Sequence, residues 1–426
     1  MSGQEHEELL TTLWDLQGFK VVGVEVEAAP TEREPGRRVQ VVSLWNERQT
    51  HRCPACGREH RDAFFEEAVP RRFRDSSLGE WETFVEITPM RVRCCGGMLV
   101  EAFPFEAPGG HRMTRRFFER LAALCTRLPV QTVAEMAGLS WDTVARVDRE
   151  AIRLALGGDA PSLNGLRWIG VDEVSRTGGR VYFTIVTDLI EGRVVWVGDG
   201  KGKKPLEAFF HELGGKRCKK IQGVVSDLAE GFLQAIAEAI PQARHVLDRF
   251  HIVQWANEAL NEVRRRIFGG APGKGTLGQE IKAKKWMLLT ARERLKGTDR
   301  RLLDRLRTLN APLYTAYLLK EELRALLHHP WTYMGALLRN LKAWAHAVHK
   351  AGHAEFVKVA NRLLTHFDKL AAGFSADIRL GLVEAINGKI ALIRRESRGI
   401  RNQQHFRFKI YQRCSLPNNP WARIIL

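Results

Sequence analysis

Residues 167–175 read Arg167-Trp-Ile-Gly-Val-Asp-Glu-Val-Ser175, an apolar run that closes on two acidic side chains, Asp172 and Glu173. Thr177-Gly-Gly179 supplies a turn signal, and strand-like runs follow at 180–188 and 193–197. Short apolar and β-branched runs separated by turn residues predict a three-strand meander. Side chains alternate along a strand, so Asp172 and Glu173 are expected on opposite faces.

Beyond the meander the period changes. Residues 205–213 read as a short helix, and 221–227 as a buried strand ending in Asp227. An amphipathic helix over 228–240, a strand over 244–248 and a long helix opening at Phe250-His251 complete the series. Three meander strands followed by helix, strand, helix, strand, helix predict a ribonuclease-H-like α/β domain, a mixed sheet flanked by helices. In that order the strand ending in Asp227 lies beside the strand carrying Asp172. Carboxylates at adjacent strand ends are the oxygen donors that Mg²⁺ prefers, and paired ions stabilise both the attacking and the leaving oxygen of a phosphoryl displacement. A single Asp after an apolar run is usually a turn or cap residue; two in this strand order point to catalysis.

Ahead of this domain, Thr114 can cap a helix over 115–124. Residues 130–146 then show helix-turn-helix spacing. Val133, Ala134 and Ala137 line one helix, Gly138 permits the turn, Leu139 plugs the core and Ser140 caps the next helix. The second helix of such a pair enters the major groove. Ser140, Trp141, Thr143 and Arg146 are the DNA-contact candidates, with Asp142 and Ala145 expected on or near the same exposed side. A plain helical hairpin gives similar spacing.

Cys53-Pro-Ala-Cys56-Gly57 is a zinc knuckle in form, two thiols from one tight turn. Its counterpart, Cys94-Cys95-Gly96-Gly97, has adjacent cysteines where a pair two residues apart is expected. For both to hold one tetrahedral ion the backbone there must be unusual; His51, His60 and His111 are alternative ligands. Residues 1–110 are therefore expected to form a zinc-ribbon-like domain with Cys53, Cys56, Cys94 and Cys95 around Zn²⁺; a ribbon that keeps its cysteines without metal is the other reading. Arg71, Arg72 and Arg74 lie on a strand between the knuckles, as phosphate contacts or as a solvated edge.

The chain holds 66 Lys+Arg against 49 Asp+Glu, a formal charge of +17. That excess favours a polyanionic partner. There is no apolar stretch of membrane-spanning length, and the acidic first residues do not read as a signal peptide. Seven cysteines, four of them clustered early, suit a reducing cytoplasmic location and a metal site. After a loop at Gly269-Gly-Ala-Pro-Gly273, residues 279–370 are helical in pattern, expected as a bundle inserted into the sheet domain. His328, His329, His346, His349 and His353 are too irregularly spaced to read as metal ligands.

Three motifs, Val171-Asp172-Glu173, Val225-Ser226-Asp227 and Leu247-Asp248-Arg249-Phe250-His251, together with the ribbon and helix-turn-helix ahead of them, resemble the DDE transposases of bacterial insertion sequences, ISL-three type. The resemblance covers nearly the whole chain; the Cys94-Cys95 pair departs from it. It implies a third acid in Gly381-Leu-Val-Glu384-Ala-Ile-Asn387-Gly-Lys389, so Glu384 joins Asp172 and Asp227 as catalytic residue and Mg²⁺ ligand, with Glu396 as the rival. It also implies two Mg²⁺ (Mn²⁺ substituting), binding of terminal inverted repeats and of target DNA, strand cleavage and transfer, and a homodimer or larger assembly. Beyond Glu384, basic and aromatic residues interleave, and Arg394, Arg395, Arg398 and Arg401 are candidate phosphate contacts. The expected layout is 1–110 zinc ribbon, 111–160 helix-turn-helix, 165–268 catalytic domain, 269–375 helical insertion and 376–426 the rest of the catalytic domain. A catalytically inactive DNA-binding regulator is the alternative.

Overall fold

Two units make up the computed structural model, Met1–Asp159 with Asn402–Leu426, and Ala160–Arg401. The described residues are 16, 18–27, 38–47, 50–61, 68–77, 81–175, 181–268, 281, 285–375, 378–396, 402–416 and 418–423. The turn at 177–179, the loop at 269–273, Arg398 and Arg401 lie outside them.

The first unit opens with strands β1 (Phe19–Glu27), β2 (Arg38–Asn46), β3 (His51–Arg52), β4 (Glu59–His60), β5 (Arg71–Arg74), β6 (Trp81–Ile87), β7 (Arg91–Cys94) and β8 (Gly97–Val100). Four of them form a sheet in the order β1-β2-β6-β5. Alternation along β6 buries Thr83, Val85 and Ile87 on one side, where Phe19, Phe73, Phe103 and Phe105 meet edge to face or stacked. Strands β3/β4 and β7/β8 are small separate hairpins. Helices α1 (Arg115–Cys125), α2 (Val130–Ala137) and α3 (Trp141–Leu156) follow. Each start and stop has its local cause. The Thr114 hydroxyl accepts from Phe117 N–H, Gly138 ends α2 in the left-handed region (φ 63°), and the Ser140 hydroxyl accepts from Thr143 N–H. Their inner faces share one core built on Phe118, Leu121, Val133, Val144 and Val147.

The second unit holds β9 (Trp168–Ser175), β10 (Tyr182–Asp188), β11 (Arg193–Asp199), α4 (Lys203–Leu213), α5 (Gly215–Cys218), β12 (Gly223–Ser226), α6 (Glu230–Ala239), β13 (Arg244–Leu247) and α7 (Arg249–Phe268). The sheet runs β11-β10-β9-β12-β13. The meander is antiparallel, while β12 lies parallel to both β9 and β13. Then come α8 (Lys285–Leu289), α9 (Gly297–Leu309), α10 (Ala311–His328), α11 (Met334–Ala351), α12 (Ala354–Thr365), α13 (Phe367–Ser375) and α14 (Leu382–Glu396). Helices α7 to α13 bury a core of their own around Leu260, Val263, Tyr317, Leu341 and Phe356.

Period-2 alternation gives the sheet two apolar faces. Ile169, Val171 and Val224 pack on Leu206, Phe209 and Phe232 of α4 and α6. On the other face Val225 and Val246 meet Ala372 of α13 and Val383 of α14. Gly170 sets how close α14 comes, since a Cβ there would lie 2.6 Å from a Val383 methyl.

Helix α15 (Gln403–Cys414) belongs to the first unit, not to the catalytic part in which the expected layout puts it. The reason is a buried polar network. Lys409 Nζ reaches both Asp148 carboxylate oxygens, at 3.1 and 3.3 Å, and the Cys125 carbonyl at 2.7 Å. Gln412 Nε2 donates to the same carboxylate at 2.9 Å. His405, 3.6 Å from Asp148, titrates low, at about 4, because burial outweighs the attraction of the carboxylate. Lys409 thus serves the core rather than a phosphate, and its amphipathic stem hides it in a basic-aromatic pattern. Lys409→Met should destabilise the protein by about 3–5 kcal/mol, because it strands Asp148 as an unpaired buried charge. Urea unfolding followed by tryptophan fluorescence checks this, and adding Asp148→Leu should recover most of the loss.

Candidate active site and cysteine cluster

Asp172 sits on β9 with its side chain toward α14. One carboxylate oxygen accepts from Glu173 N–H at 2.7 Å, and the other from Asn387 Nδ2. His251 Nε2 stands 3.7 Å from Asp172 and 4.0 Å from Asp248. Glu173 faces the other way, where it accepts from Gly202 N–H at the start of α4, at 2.8 Å. A carboxylate at a helix N-terminus is favourably placed.

Asp227 directly follows β12, and its carboxylate accepts from Ala229 N–H at 3.0 Å. Glu384 is exposed on the first turn of α14, three residues before Asn387, so the two share one side of that helix. Asp248 closes β13, next to β12 in the sheet. Burial pushes the carboxyls of Asp172 and Asp248 above the usual range; His251 opposes this in both, and neighbouring acids add to it. The neighbours are Asp227 for Asp172, and Glu384 and Asp227 for Asp248. These four acids therefore feel one another's charge. Among the described residues no three of them bring oxygens within 4.8 Å of one another. Their chemistry fits a hard divalent cation: carboxylate oxygens in a partly buried, mutually repelling group, with Asn387 Oδ1 buried beside Asp172 and lacking a partner. Asp248 and His251 stand in a quoted motif of the sequence but carry no expected role. The available signal was that Asp248 ends a strand as Asp227 does, with His251 one helical turn later.

The second cluster is sulfur. Cys53, Cys56, Cys94 and Cys95 bring their Sγ atoms within 4.8 Å of one another. Closest approaches are 3.6 Å for Cys56 and Cys94, 3.8 Å for Cys94 and Cys95, and 4.0 Å for Cys53 and Cys95. Tetrahedral Zn²⁺ with bonds of about 2.3 Å needs S···S of roughly 3.8 Å, so the set fits. The unusual backbone expected at the adjacent pair is present. Cys94 pairs with Gly97 across a two-residue turn in which Cys95 (φ 50°) and Gly96 (φ 81°) both adopt positive φ. That is the backbone of a type I′ hairpin turn. Cys56 titrates low, at about 7, chiefly because the Arg58 N–H hydrogen-bonds its sulfur; Cys56 and the other thiols push Cys95 up to about 12. The first thiolate therefore forms at Cys56. Two of the alternative ligands are engaged elsewhere, His51 with Glu101 at 2.8 Å and His111 against Phe118, while His60 Nε2 is buried with no hydrogen-bond partner.

The basic candidates divide. Arg146 and Trp141 are exposed on α3; Ser140 and Thr143 bond each other at its start. Ala145, expected outside, is buried because it faces the three-helix core. Arg74 is 6% exposed, held by Glu82 and Thr83 and flanked by Phe84 and Phe117, so a phosphate cannot reach it. Arg72 is exposed but bound to Glu27 and Glu86. Arg71 is half-buried. Arg394 Nη1 donates to the Ser175 carbonyl at 2.8 Å, while Arg395 is exposed.

Comparison with known proteins bears on both regions. Residues 169–410 match the DDE model of the ISL3 type, described as a transposase, and residues 101–152 match the helix-turn-helix domain of transposase family ISL3. The transposase for insertion sequence element IS1001 of Bordetella parapertussis is 29% identical over 422 residues, 97% of this chain and 98% of that one. The transposase for insertion sequence element IS1557 of Mycobacterium tuberculosis is 30% identical over 389 residues, 83% of each chain. No helix among the described residues is long and apolar enough to cross a membrane. The chain belongs to the ISL3 family of DDE transposases, DNA-binding enzymes of strand cleavage and transfer.

Proposed function

We propose that the protein binds the terminal inverted repeats of its own insertion sequence, cuts there, and joins the freed ends to target DNA. The observation that supports this is the placement of Asp172 on β9, Asp227 after β12, Asp248 after β13 and Glu384 on α14, with Asp227 raising the carboxyls of Asp172 and Asp248 and Glu384 that of Asp248. The sheet order β11-β10-β9-β12-β13 supports a ribonuclease-H-like reading, with the helices from α8 to α13 as the expected insertion.

Asp172, Asp227 and Glu384 would hold two Mg²⁺, with Mn²⁺ as a substitute. When bound, such ions supply charge stabilisation at the attacking and leaving oxygens of an in-line displacement. The protein's part is to fix the ligands. Asn387 and the Glu173 N–H orient Asp172, and the Ala229 N–H orients Asp227. The raised carboxyls mark a site in which extra negative charge is unwelcome and a cation is favoured. No side chain needs to attack DNA, so no covalent protein–DNA intermediate arises. His251 stands between Asp172 and Asp248 and partly offsets the charge of both.

The zinc ribbon and the α2–α3 pair would read the ends, with Ser140, Trp141, Thr143 and Arg146 toward the DNA and Arg395 on phosphate. Bringing two ends together implies a homodimer or a larger assembly. An inactive regulator is disfavoured by the intact acidic set. Labelled element ends incubated with Mg²⁺ test the reading: cutting with joining supports it, and binding without cutting supports a regulator instead. Arg146→Ala should weaken end binding roughly tenfold, the size of one lost base or phosphate contact, in gel-shift titrations at fixed salt.

A further inference from the structure

Asp227 directly follows β12, and each of the two peptide planes after its α-carbon is held by a side chain. The Asp227 carbonyl accepts from the Ser226 hydroxyl at 2.8 Å, and His245 Nε2, on β13, lies 2.8 Å from the same hydroxyl oxygen. Because that hydroxyl donates to the carbonyl, the histidine nitrogen is the donor to it. The next plane joins Leu228 to Ala229. Its N–H is the one that donates to the Asp227 carboxylate, at 3.0 Å, and its carbonyl accepts from Arg362 Nη2, also at 3.0 Å. A peptide unit is planar, so its carbonyl and its N–H turn together. The group that holds the Leu228 carbonyl therefore also aims the N–H that orients Asp227.

Arg362 belongs to α12, 134 residues along the chain from Leu228. Its guanidinium carbon lies 3.8 Å from the ring centroid of Trp255 on α7, a cation–π contact that fixes its direction. Leu228 is itself 5% exposed, with its side chain in the core shared by α7 to α13. Burial lowers the pKa of the Arg362 guanidinium, and the charges of Asp227 and Glu258 oppose that shift. Asp172, in contrast, is oriented from its own strand and from α14. We propose that Arg362 is a positioning residue: by holding the Leu228–Ala229 peptide it fixes the Asp227 carboxylate as a cation ligand, and through it the helices beyond α7 set the metal affinity of the site. The inference rests on the reading of Asp227 as a Mg²⁺ ligand. Charge and position pull in opposite directions here. A guanidinium acting by charge alone would repel a metal ion, and its removal would tighten the site. Removal of a positioning group weakens it, by roughly 10–100-fold for side chains that orient ligands from behind.

The test uses the full-length protein. Arg362→Met keeps an unbranched stem over Trp255 and removes the donor. In EDTA, hydrogen–deuterium exchange over residues 224–232 should be several-fold faster in this variant than in the parent. Mn²⁺ titrations without DNA, with the free ion read by electron paramagnetic resonance, should show roughly tenfold weaker binding. With labelled element ends, half-maximal cutting should need roughly tenfold more Mg²⁺, while the rate at saturating Mg²⁺ stays within about twofold of the parent. Arg362→Lys, which can still reach the carbonyl, should recover part of each shift. Arg266→Ala is the control. Arg266 on α7 bonds Glu355 on α12 at 2.8 Å, so its loss cuts a tie between the same two helices without touching the Leu228 carbonyl, and it should match the parent. Equal exchange over 224–232 in Arg362→Met and the parent, tighter Mn²⁺ binding in that variant, or the same shifts in Arg266→Ala would overturn the proposal. If the parent neither binds Mn²⁺ nor cuts ends, the cleavage reading has failed first, and the exchange comparison still decides whether Arg362 holds this loop.

Discussion

Asp172→Asn should cut labelled element ends at least roughly 10³-fold more slowly than the parent, with end affinity unchanged. The substitution keeps shape and removes charge. The new amide's oxygen can still accept from Glu173 N–H, and its nitrogen, which would otherwise face Asn387 Nδ2, can donate to Asn387 Oδ1 once that amide turns over. The loss is then one of cation binding and not of folding. The same variant should melt higher in EDTA. Burial raises the Asp172 carboxyl in the folded state, so the folded form keeps its proton to a higher pH than the unfolded form, which ionises near pH 4. As pH rises from there through the folded value, the unfolded state is increasingly favoured, and above it the full penalty stands. A neutral amide carries no such penalty. The gain should be present at neutral pH and should vanish below about pH 4. Calorimetry across that range checks it. An Asp172→Asn protein that cuts normally would remove Asp172 from the catalytic set.

Zinc removal should have the second large effect. Cys53 is 1% exposed, and its backbone N–H and carbonyl bond Arg58 and Gly57 within the first knuckle. The Ala102 N–H bonds Arg52, and the Glu101 N–H bonds Met90, so the segment after the second hairpin is tied to both knuckles. A Zn²⁺ ion would clamp two hairpins that have few apolar contacts of their own, and structural zinc contributes on the order of 10 kcal/mol in small sites. Stripping it with a strong chelator, or Cys53→Ser, should lower the melting temperature of the first unit by roughly 10 °C or more. Atomic absorption should give one zinc per chain before treatment and none after it. A protein purified without zinc that melts normally would leave the four thiols as packing residues only.

The parts of the fold visible in the sequence were those with local causes. Gly138 and Ser140 mark the helix-turn-helix because left-handed φ and an N-cap are properties of single residues. The meander and the two strands after it were legible from period and turn signals. Asp172 and Asp227 followed from their order, whereas Glu384 came only from a resemblance, since an exposed helical Glu has no local mark. Missed features depend on distant partners. Arg74 looked like a phosphate contact until Phe84, and Phe117 from α1, enclosed it. Nothing near Lys409 in the chain marks it as a core residue, since the Asp148 that it pairs with lies 261 residues away. The Cys94-Cys95 pair looked defective because a positive φ at a cysteine cannot be foreseen from its neighbours.

The buried tie between α15 and α3 also bears on how the protein is made. Asp148 leaves the ribosome long before Lys409, with the whole of Ala160–Arg401 translated between them. At ~5–20 residues per second that interval is on the order of tens of seconds. During it the growing chain carries a helix-turn-helix whose carboxylate has no cation, and whose core lacks Trp421. The unit that holds the helix-turn-helix is completed only after Ala160–Arg401 has been synthesised. A prematurely terminated chain would therefore lack the Lys409 cation and the Trp421 ring that complete this core.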